Sequence, residues 1–468
     1  MRPILWRPLV KSVQSLAKNQ EAFLRTLLSI ALLLLPGIVL AQNPSDETAI
    51  EQDDEPVAAS AQPLHLSFKN RPSLHLGEFA NIDLKSKWHF DFRGFDPPKW
   101  NAPAQVTALP STPPTFYLTR ARVGVKGNVT KYFDYEFERD MRQTVGSDHE
   151  WHPWKDNYVD INAHRLVEIR VGKFKVPFGM EANLSEDRLD FAFKSRVSDV
   201  LSPARERGVM LHAQFLKSSR MQYQIGVFRY DGEGSDIHGL PTGKRTYAAR
   251  LAGEPLRRVR QLPRSIRHIY LGTAATRGQM FEGPNGVHGS TFSNFTYLDH
   301  MYVRGNRTRL GAEMSWVEGP VTIKGEYAHM SEERIGQGIH GEDLPDKISR
   351  GWYLMAGWNP LGKMKSSGRP QNPFLTGHGF GAVELAARFD VLTFYSAPGP
   401  GLPSRSPRAP TILPNGERTW TFGPTWYLNR FVKIQANAQR ERLTDIERKA
   451  VFGVNVFWTG ILRLQLAM

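Results

Sequence analysis

Residues 170–191 read RVGKFKVPFGMEANLSEDRLDF. The stretch starts basic and punctuated by glycine, as a phosphate-cradling loop does. It also alternates like a β-strand that stops at a proline. A phosphate cradle needs a strand, a loop and then a helix whose N-terminus faces the anion. A strand end needs only that Pro177 break the ladder, because proline donates no backbone hydrogen bond, and that Gly179 open a sharp turn. Leu166 to Phe174 alternate as a strand, and residues 183–208, NLSEDRLDFAFKSRVSDVLSPARERG, follow as a long charged connection with amphipathic pieces. A connection this long within a compact domain is commonly functional. The stretch is therefore read as a strand end feeding a long loop.

The same alternation recurs along the chain. In RARVGVKGN, Ala121, Val123 and Val125 oppose Arg120, Arg122 and Lys126; in YFDYEFERD, Phe133, Tyr135 and Phe137 oppose Asp134, Glu136 and Glu138. DNYVDINAH, LVEIRVG, VMLHAQF, YAARLAG, RLGAEMSW, VTIKGEYA, AVELAARFD and FVKIQANAQ repeat the pattern. Strand side chains alternate with period two, so each run has one apolar and one polar face. A soluble antiparallel sheet also alternates. Two features favour a barrel in lipid: nearly every run carries an apolar face, and aromatic residues stand near run ends (Trp151, Trp154, Tyr158, Trp352, Trp358, Trp420, Trp426, Tyr427 and Trp458), as interfacial girdles do. The spacing predicts an all-β, transmembrane antiparallel barrel of about 16 strands with an inward-folded constriction loop. Near the end, FGPTWYLNRFVKIQAN (residues 422–437) and FGVNVFWTGILRLQLA (452–467) match in pattern and read as two hairpins, turning at Asn429-Arg430 and at Thr459-Gly460.

The N-terminus reads as an address. Five basic residues precede LLSIALLLLPGIVL (27–40), and Val39 to Ala41 suits a signal peptidase, so residues 1–41 are expected to be a secretory signal. The apolar run is shorter than the ~18–20 residues that span a bilayer. Residues 42–74 read as a mobile leader, acidic and proline-containing at first, and 75–468 as the barrel. Removing residues 1–41 takes away five basic and one acidic residue, which lowers the formal charge from +14 to +10. A basic exported protein meets small anions, acidic glycans or anionic lipid, and export makes nucleic acid the weakest partner. There are no cysteines, hence no disulfides or thiolate metal sites.

No catalytic constellation stands out. GLPTGKRT (239–246) resembles a Walker loop, but its first glycine is one residue too close and Arg245 replaces the Ser or Thr; DHEWH (148–152) lacks the HExxH spacing. Glu136 and Glu138 share one strand face and suit charge pairing better than glycoside cleavage. Neither metal nor cofactor is called for. What recurs is cations on the polar faces: Arg120, Arg122, Lys126, Arg170, Arg250, Arg309, Lys324, Arg388 and Lys433. If the apolar faces meet lipid, these face a lumen, and rows of Arg and Lys there favour anions. Cross-strand pairing with carboxylates such as Glu168, Glu313, Glu326, Glu384 and Asp390 is the plainer fate of any one of them. The long loop would bring Glu181, Arg188, Lys194, Arg196, Arg205 and Arg207 to the constriction.

VGKFKVPFGMEANLSEDRLDF followed by SDVLSPARERGVMLHAQF resembles the signature of the phosphate-selective porins, O and P type, of bacterial outer membranes. TRARVGVKGNVTKYFDYEFE resembles that family's early hairpin; GAVELAARFD and FGPTWYLNRFVKIQANAQRERL resemble its late strands. The resemblance implies a sixteen-stranded outer-membrane barrel, usually trimeric, whose third loop enters the pore. Its phosphate-selective members carry a lysine after the glutamate of the PFG-x-E turn, where this chain has Ala182, and can show two adjacent arginines where Thr119 precedes Arg120. Outer-membrane barrels commonly end in an aromatic residue, and this chain ends in Met468.

The leading expectation is an outer-membrane porin, not an enzyme, passing small inorganic anions by diffusion, phosphate or polyphosphate among them. It would sit in outer-membrane lipid as a homotrimer. The alternative is an exported β-rich carbohydrate-active enzyme or glycan-binding protein.

Overall fold

The computed structural model describes residues 64–68, 71–96, 115–142, 154–232, 236–237, 240–241, 243–293, 295–364, 369–375, 377–444 and 455–468. The signal segment 1–41, the start of the leader, DHEWH and Trp151 lie outside them. One sheet of eighteen strands dominates: two short N-terminal strands, 65–67 and 73–76, and sixteen that close on themselves.

The sixteen are β1 (Ala80–Asp96), β2 (Thr115–Val129), β3 (Phe133–Asp140), β4 (Trp154–His164), β5 (Val167–Lys175), β6 (Arg205–Leu216), β7 (Met221–Phe228) and β8 (Gly243–Gly253), then β9 (Tyr270–Gly283), β10 (Val303–Glu318), β11 (Val321–Arg334), β12 (Leu344–Leu361), β13 (Ala382–Ser396), β14 (Asn415–Tyr427), β15 (Val432–Leu443) and β16 (Val456–Ala467). Each pairs antiparallel with the next, and β16 closes onto β1 from Trp458↔Asp96 to Ala467↔Lys87. Closure leaves no sheet edge, which is what lets strands cross a bilayer.

Burial is inverted relative to a soluble protein. Leu310, Leu354, Ile225 and Leu462 are exposed on the outer wall, while Arg122, Arg307, Arg388 and Arg463 are buried inside. The alternation read from sequence thus sorts lipid-facing from lumen-facing positions. The aromatic expectation needs correction. Trp154, Trp358 and Trp458 do face outward near strand ends. Trp352 and Trp420 instead flank Phe389 near mid-strand. Tyr158 and Tyr427 face the lumen, donating to Glu136 at 3.1 Å and to Glu384 at 2.8 Å.

The connections alternate in length. One end carries the turns 130–132, 165–166, 319–320 and 428–431; the other carries 97–114, 176–204, 284–302 and 397–414. Short turns mark the periplasmic end and long loops the extracellular end of such barrels. Two turns at the short-turn end, 254–269 and 362–381, are longer and fold over the outer wall, where outward-facing Trp316 donates to the Ser265 carbonyl and Trp426 to the Phe380 carbonyl, both at 2.9 Å.

Three boundaries differ from expectation. The segment read as a leader to residue 74 already contains paired strands: 73–76 docks on Ala80–Asp83 along the edge of β1 that β16 does not reach. The hairpin at Asn429-Arg430 is present, but Thr459-Gly460 does not turn. Gly460 lies mid-strand in β16, opposite Gly94 on one side and Ala438 on the other, so small residues on both neighbours accommodate a turn-like dipeptide. The long loop ends at Ala204 rather than Gly208, because Arg205 opens β6.

Candidate functional site

The loop of residues 176–204 folds into the barrel. Val176, Pro177 and Phe178 are buried, and the chain then turns at Gly179, whose φ of 73° favours glycine and where a Cβ would meet Glu326 Oε2 at 2.7 Å. Beyond it the short helix α1 (Met180–Asn183) has two N-terminal amides bonded to one lumen carboxylate: Met180 N to Glu326 Oε2 at 2.9 Å and Glu181 N to Oε1 at 2.7 Å. Tyr353 donates to the same carboxylate at 2.8 Å. Glu181 in turn accepts from Ser195 N at 2.7 Å, and Ser195 caps α2 (Arg196–Val200) by accepting from Ser198 N at 3.1 Å. A carboxylate or hydroxyl that takes up amides left free at a helix start is the usual capping solution.

The wall supplies the remaining partners. Arg388 bonds Glu181 at 3.2 Å, Asp390 at 2.9 Å, and the carbonyls of Phe193 and Lys194 at 3.3 and 2.9 Å. Asp390 accepts from Arg196 N at 3.0 Å, and the Arg196 guanidinium reaches Glu417 and the Ser290 carbonyl. Lys433 donates to the carbonyls of Asp187 and Leu189 at 3.0 and 2.8 Å, Gln435 to that of Asp190 at 2.9 Å, and Lys324 to the Asp190 carboxylate at 2.8 Å. Arg463 holds Asp91 at 2.6 Å and the Ala192 carbonyl. Across the lumen, Glu186 pairs with Arg120 and, at 2.7 Å, with Arg122. Burial pushes the Glu186 carboxyl up, but Arg120, Arg122 and Lys194 outweigh it and hold it well below its usual range. A buried loop backbone must find such partners, since each unpaired polar group costs about 1–3 kcal/mol.

Of the nine cations read as an anion pathway, five therefore fasten the loop: Arg120, Arg122, Lys324, Arg388 and Lys433. Arg309 pairs with Asp231 of the loop after β7 at 2.6 Å, and Arg307 joins it at 2.7 Å. Burial raises the Asp231 carboxyl, but these two guanidiniums bring it down to about 2. Arg250 pairs with Glu313 and reaches Gln224 and Tyr270 at 2.9 Å. Arg170 pairs with Asp160 at 2.6 Å and lies 3.9 Å over the Tyr158 ring. Lys126 lies on the lumen face, in register with Asp83 and Glu136. Glu136 and Glu138 are engaged by Lys85 and Lys87, and GLPTGKRT runs into β8 without a helix behind it.

Of the six constriction residues, Glu181, Arg188, Lys194 and Arg196 lie in the loop. Arg188 is exposed, and neither it nor the half-buried Lys194 side chain has an ion-pair partner among the described residues. Arg205 belongs to β6 and pairs with Asp156 at 2.7 Å. Arg207 does not face the lumen: it shares the outward parity of Val209 and Leu211.

A second inward loop, 284–302, escaped the sequence reading. Tyr297, Leu298 and Met301 are buried against Phe178, Phe191, Val197 and Leu201 of the first loop and against wall residues such as Met330, Phe394 and Phe457. Asn415 donates to the Tyr297 carbonyl at 2.7 Å and Glu441 accepts from Phe292 N at 3.0 Å. The available signal was the aromatic density of TFSNFTYLDHMY outside any alternating run.

The family model for phosphate-selective porin O and P matches residues 82–465. The chain belongs to the phosphate-selective porin O and P family. It is an outer-membrane porin, a channel rather than an enzyme. Among solved structures it is similar in fold to OmpT of Vibrio cholerae in a loop-deletion form, with 9% identity, a TM-score of 0.51 and coverage of 83% of this chain and 99% of that one. It is also similar to outer-membrane expressed OmpT of Vibrio cholerae, with 8% identity, a TM-score of 0.50 and coverage of 83% and 98%. No curated protein matches the sequence. Ala182 is buried in α1, and Thr119 is a bulge residue whose hydroxyl bonds the His89 carbonyl at 3.2 Å.

Proposed function

We propose that this porin passes small inorganic anions by diffusion, without strong selection for phosphate, through the lumen sector that the inward loop leaves open. The supporting observation is how the loop is held. Its hydrogen bonds and ion pairs to the wall come from β11 to β16 and from β1 and β2; among the described residues, Lys175, which reaches the Leu184 carbonyl, is the exception. The wall from β4 to β9, with Arg170 and Arg250, is left facing the passage. The loop's carboxylates Glu181, Glu186, Asp187 and Asp190 are each matched by a wall cation. The loop has more carboxylates than cations, and Asp199 pairs with the loop's own Arg196 at 3.3 Å. Arg188 and Lys194 make no ion pair among the described residues, so they are the fixed positive charges the loop presents, and fixed positive charge in a narrow aqueous path favours anions. The working assembly is taken as a homotrimer, the family's usual state.

The test is a reversal potential in a planar bilayer under a KCl gradient, with and without phosphate. Anion preference without phosphate block supports the reading; cation preference contradicts it.

A further inference from the structure

The lipid-facing wall at the extracellular end carries a row of cations that the porin reading does not use. Lys173 on β5 is directly opposite Arg207 on β6. Gly208↔Phe228 is the next pair of the ladder and Arg229 N bonds the Arg207 carbonyl at 2.8 Å, which sets Arg229 beside Arg207. Thr246↔Phe228 sets Arg245 of β8 beside Arg229 in the same way. Four cations thus follow one another across four strands with no carboxylate in the row. All four have outward parity, shared with the exposed Val171, Val209, Val227 and Tyr247. Arg207, Arg229 and Arg245 are exposed and have no ion-pair partner among the described residues.

One step toward the middle of the membrane the register is Val159↔Val171, Val171↔Val209, Val209↔Val227 and Val227↔Tyr247. These valines and Phe137 line an open recess of about 720 Å³ whose rim is Lys173, Arg207, Arg229 and Arg245. Like charges directly opposite on neighbouring strands repel, and Arg or Lys on a lipid face is tolerated only near the interface. The three exposed arginines of this row, side by side above an apolar hollow, fit a multivalent anion joined to hydrocarbon.

We propose that this face binds a lipid of the outer leaflet that bears two or more phosphate groups, a lipopolysaccharide-type glycolipid. The phosphates meet Arg207, Arg229 and Arg245, and an acyl chain lies along the valine recess. The assignment to the outer leaflet rests on the porin's orientation, with its long loops outside. A lipid with one phosphate leaves most of the three arginines uncompensated. The row faces away from the lumen, so binding is separable from conduction.

The experiment is native mass spectrometry of the purified full chain in detergent. It is titrated with a hexa-acylated, bis-phosphorylated glucosamine disaccharide, its dephosphorylated form, phosphatidylcholine, or inorganic phosphate. Retention of the bis-phosphorylated lipid above the other three is expected. The triple variant R207Q/R229Q/R245Q should lose about fivefold in affinity per arginine, on the order of a hundredfold together. Its conductance in a bilayer of phosphatidylcholine should be unchanged, which separates failure of this assignment from failure of the porin reading. In lipid-free detergent the triple variant should unfold at a higher temperature than wild type, because the repulsion is relieved; a merely structural role gives the opposite sign. The proposal is overturned by equal affinity for the dephosphorylated lipid, by displacement with inorganic phosphate alone, or by wild-type affinity in the triple variant. A changed oligomeric state with unchanged lipid affinity also overturns it, and makes the row a subunit contact.

Discussion

Arg388→Met removes the guanidinium that links Glu181, Asp390 and the carbonyls of Phe193 and Lys194. Methionine keeps the apolar stem but leaves two buried carboxylates without this partner. Breaking a buried pair by deleting one member costs about 3–5 kcal/mol, much of it the penalty of the charge left behind. The two carbonyl bonds are not independent of that figure, so about 4 kcal/mol is a fair total. The barrel ladders do not involve this side chain, and the cost therefore falls on the docked loop. At 1.4 kcal/mol per decade, loop opening becomes roughly a thousandfold more populated. The assay is hydrogen exchange at the amides of Met180, Glu181, Ala192, Ser195 and Arg196, each bonded to a carboxylate or side-chain oxygen of the wall or loop. These should exchange about a thousandfold faster in the variant, and single-channel conductance should rise. Unchanged protection and conductance in a variant that still folds would refute the view that Arg388 holds the loop in.

Other perturbations follow from the same contacts. The Glu186 carboxyl is held below its ordinary value of 4.5, so its pairing with Arg120 and Arg122 is fully present above that value and fades only as pH falls through the depressed one. The effect of Glu186→Gln on conductance should therefore be the same at about pH 8 and at about pH 5, and a mutant effect that vanishes within that window would contradict the assignment. R188Q/K194Q should lower the anion-to-cation permeability ratio by about threefold per charge without raising conductance, checked by reversal potentials of wild type and variant side by side. Arg196→Gln cuts the link from α2 to both Glu417 and Ser290; faster hydrogen exchange in both 179–198 and 287–298 is expected, and a change confined to one loop would show that the two are not coupled.

The period-two pattern carried most of the fold. It sorted Val123, Val171, Val209 and Leu462 outward and Arg122, Arg170 and Arg388 inward, because a strand's alternation is local and survives any choice of neighbour. The proline and glycine of VPFGM likewise marked where β5 ends and the chain turns inward. The partners of the lumen cations were not legible. Whether Arg388 lines a path or clamps a loop depends on Glu181, Phe193 and Lys194, about two hundred residues earlier in the chain, and no local period encodes that. Gln435, and Asn437, whose Oδ1 accepts from Ala192 N at 2.9 Å, share the face of Lys433 at steps of two, so the strand period already places them beside it. Arg207 was misplaced because β6 starts three residues before the loop was expected to end, and from Arg205 onward parity sends Arg207 into the lipid. Thr459-Gly460 looked like a turn because those residue types favour turns; the small residues opposite them, Gly94 and Ala438, became visible only with the register.

The central claim is that a closed barrel, whose inward loop presents Arg188 and Lys194 without ion-pair partners among the described residues, conducts anions. The measurement that tests it most directly is the zero-current potential of the purified protein in a neutral planar bilayer under a tenfold KCl gradient, repeated with phosphate on one side. A potential of the sign set by chloride, with little change on adding phosphate, is expected. A potential of the sign set by potassium would contradict the claim.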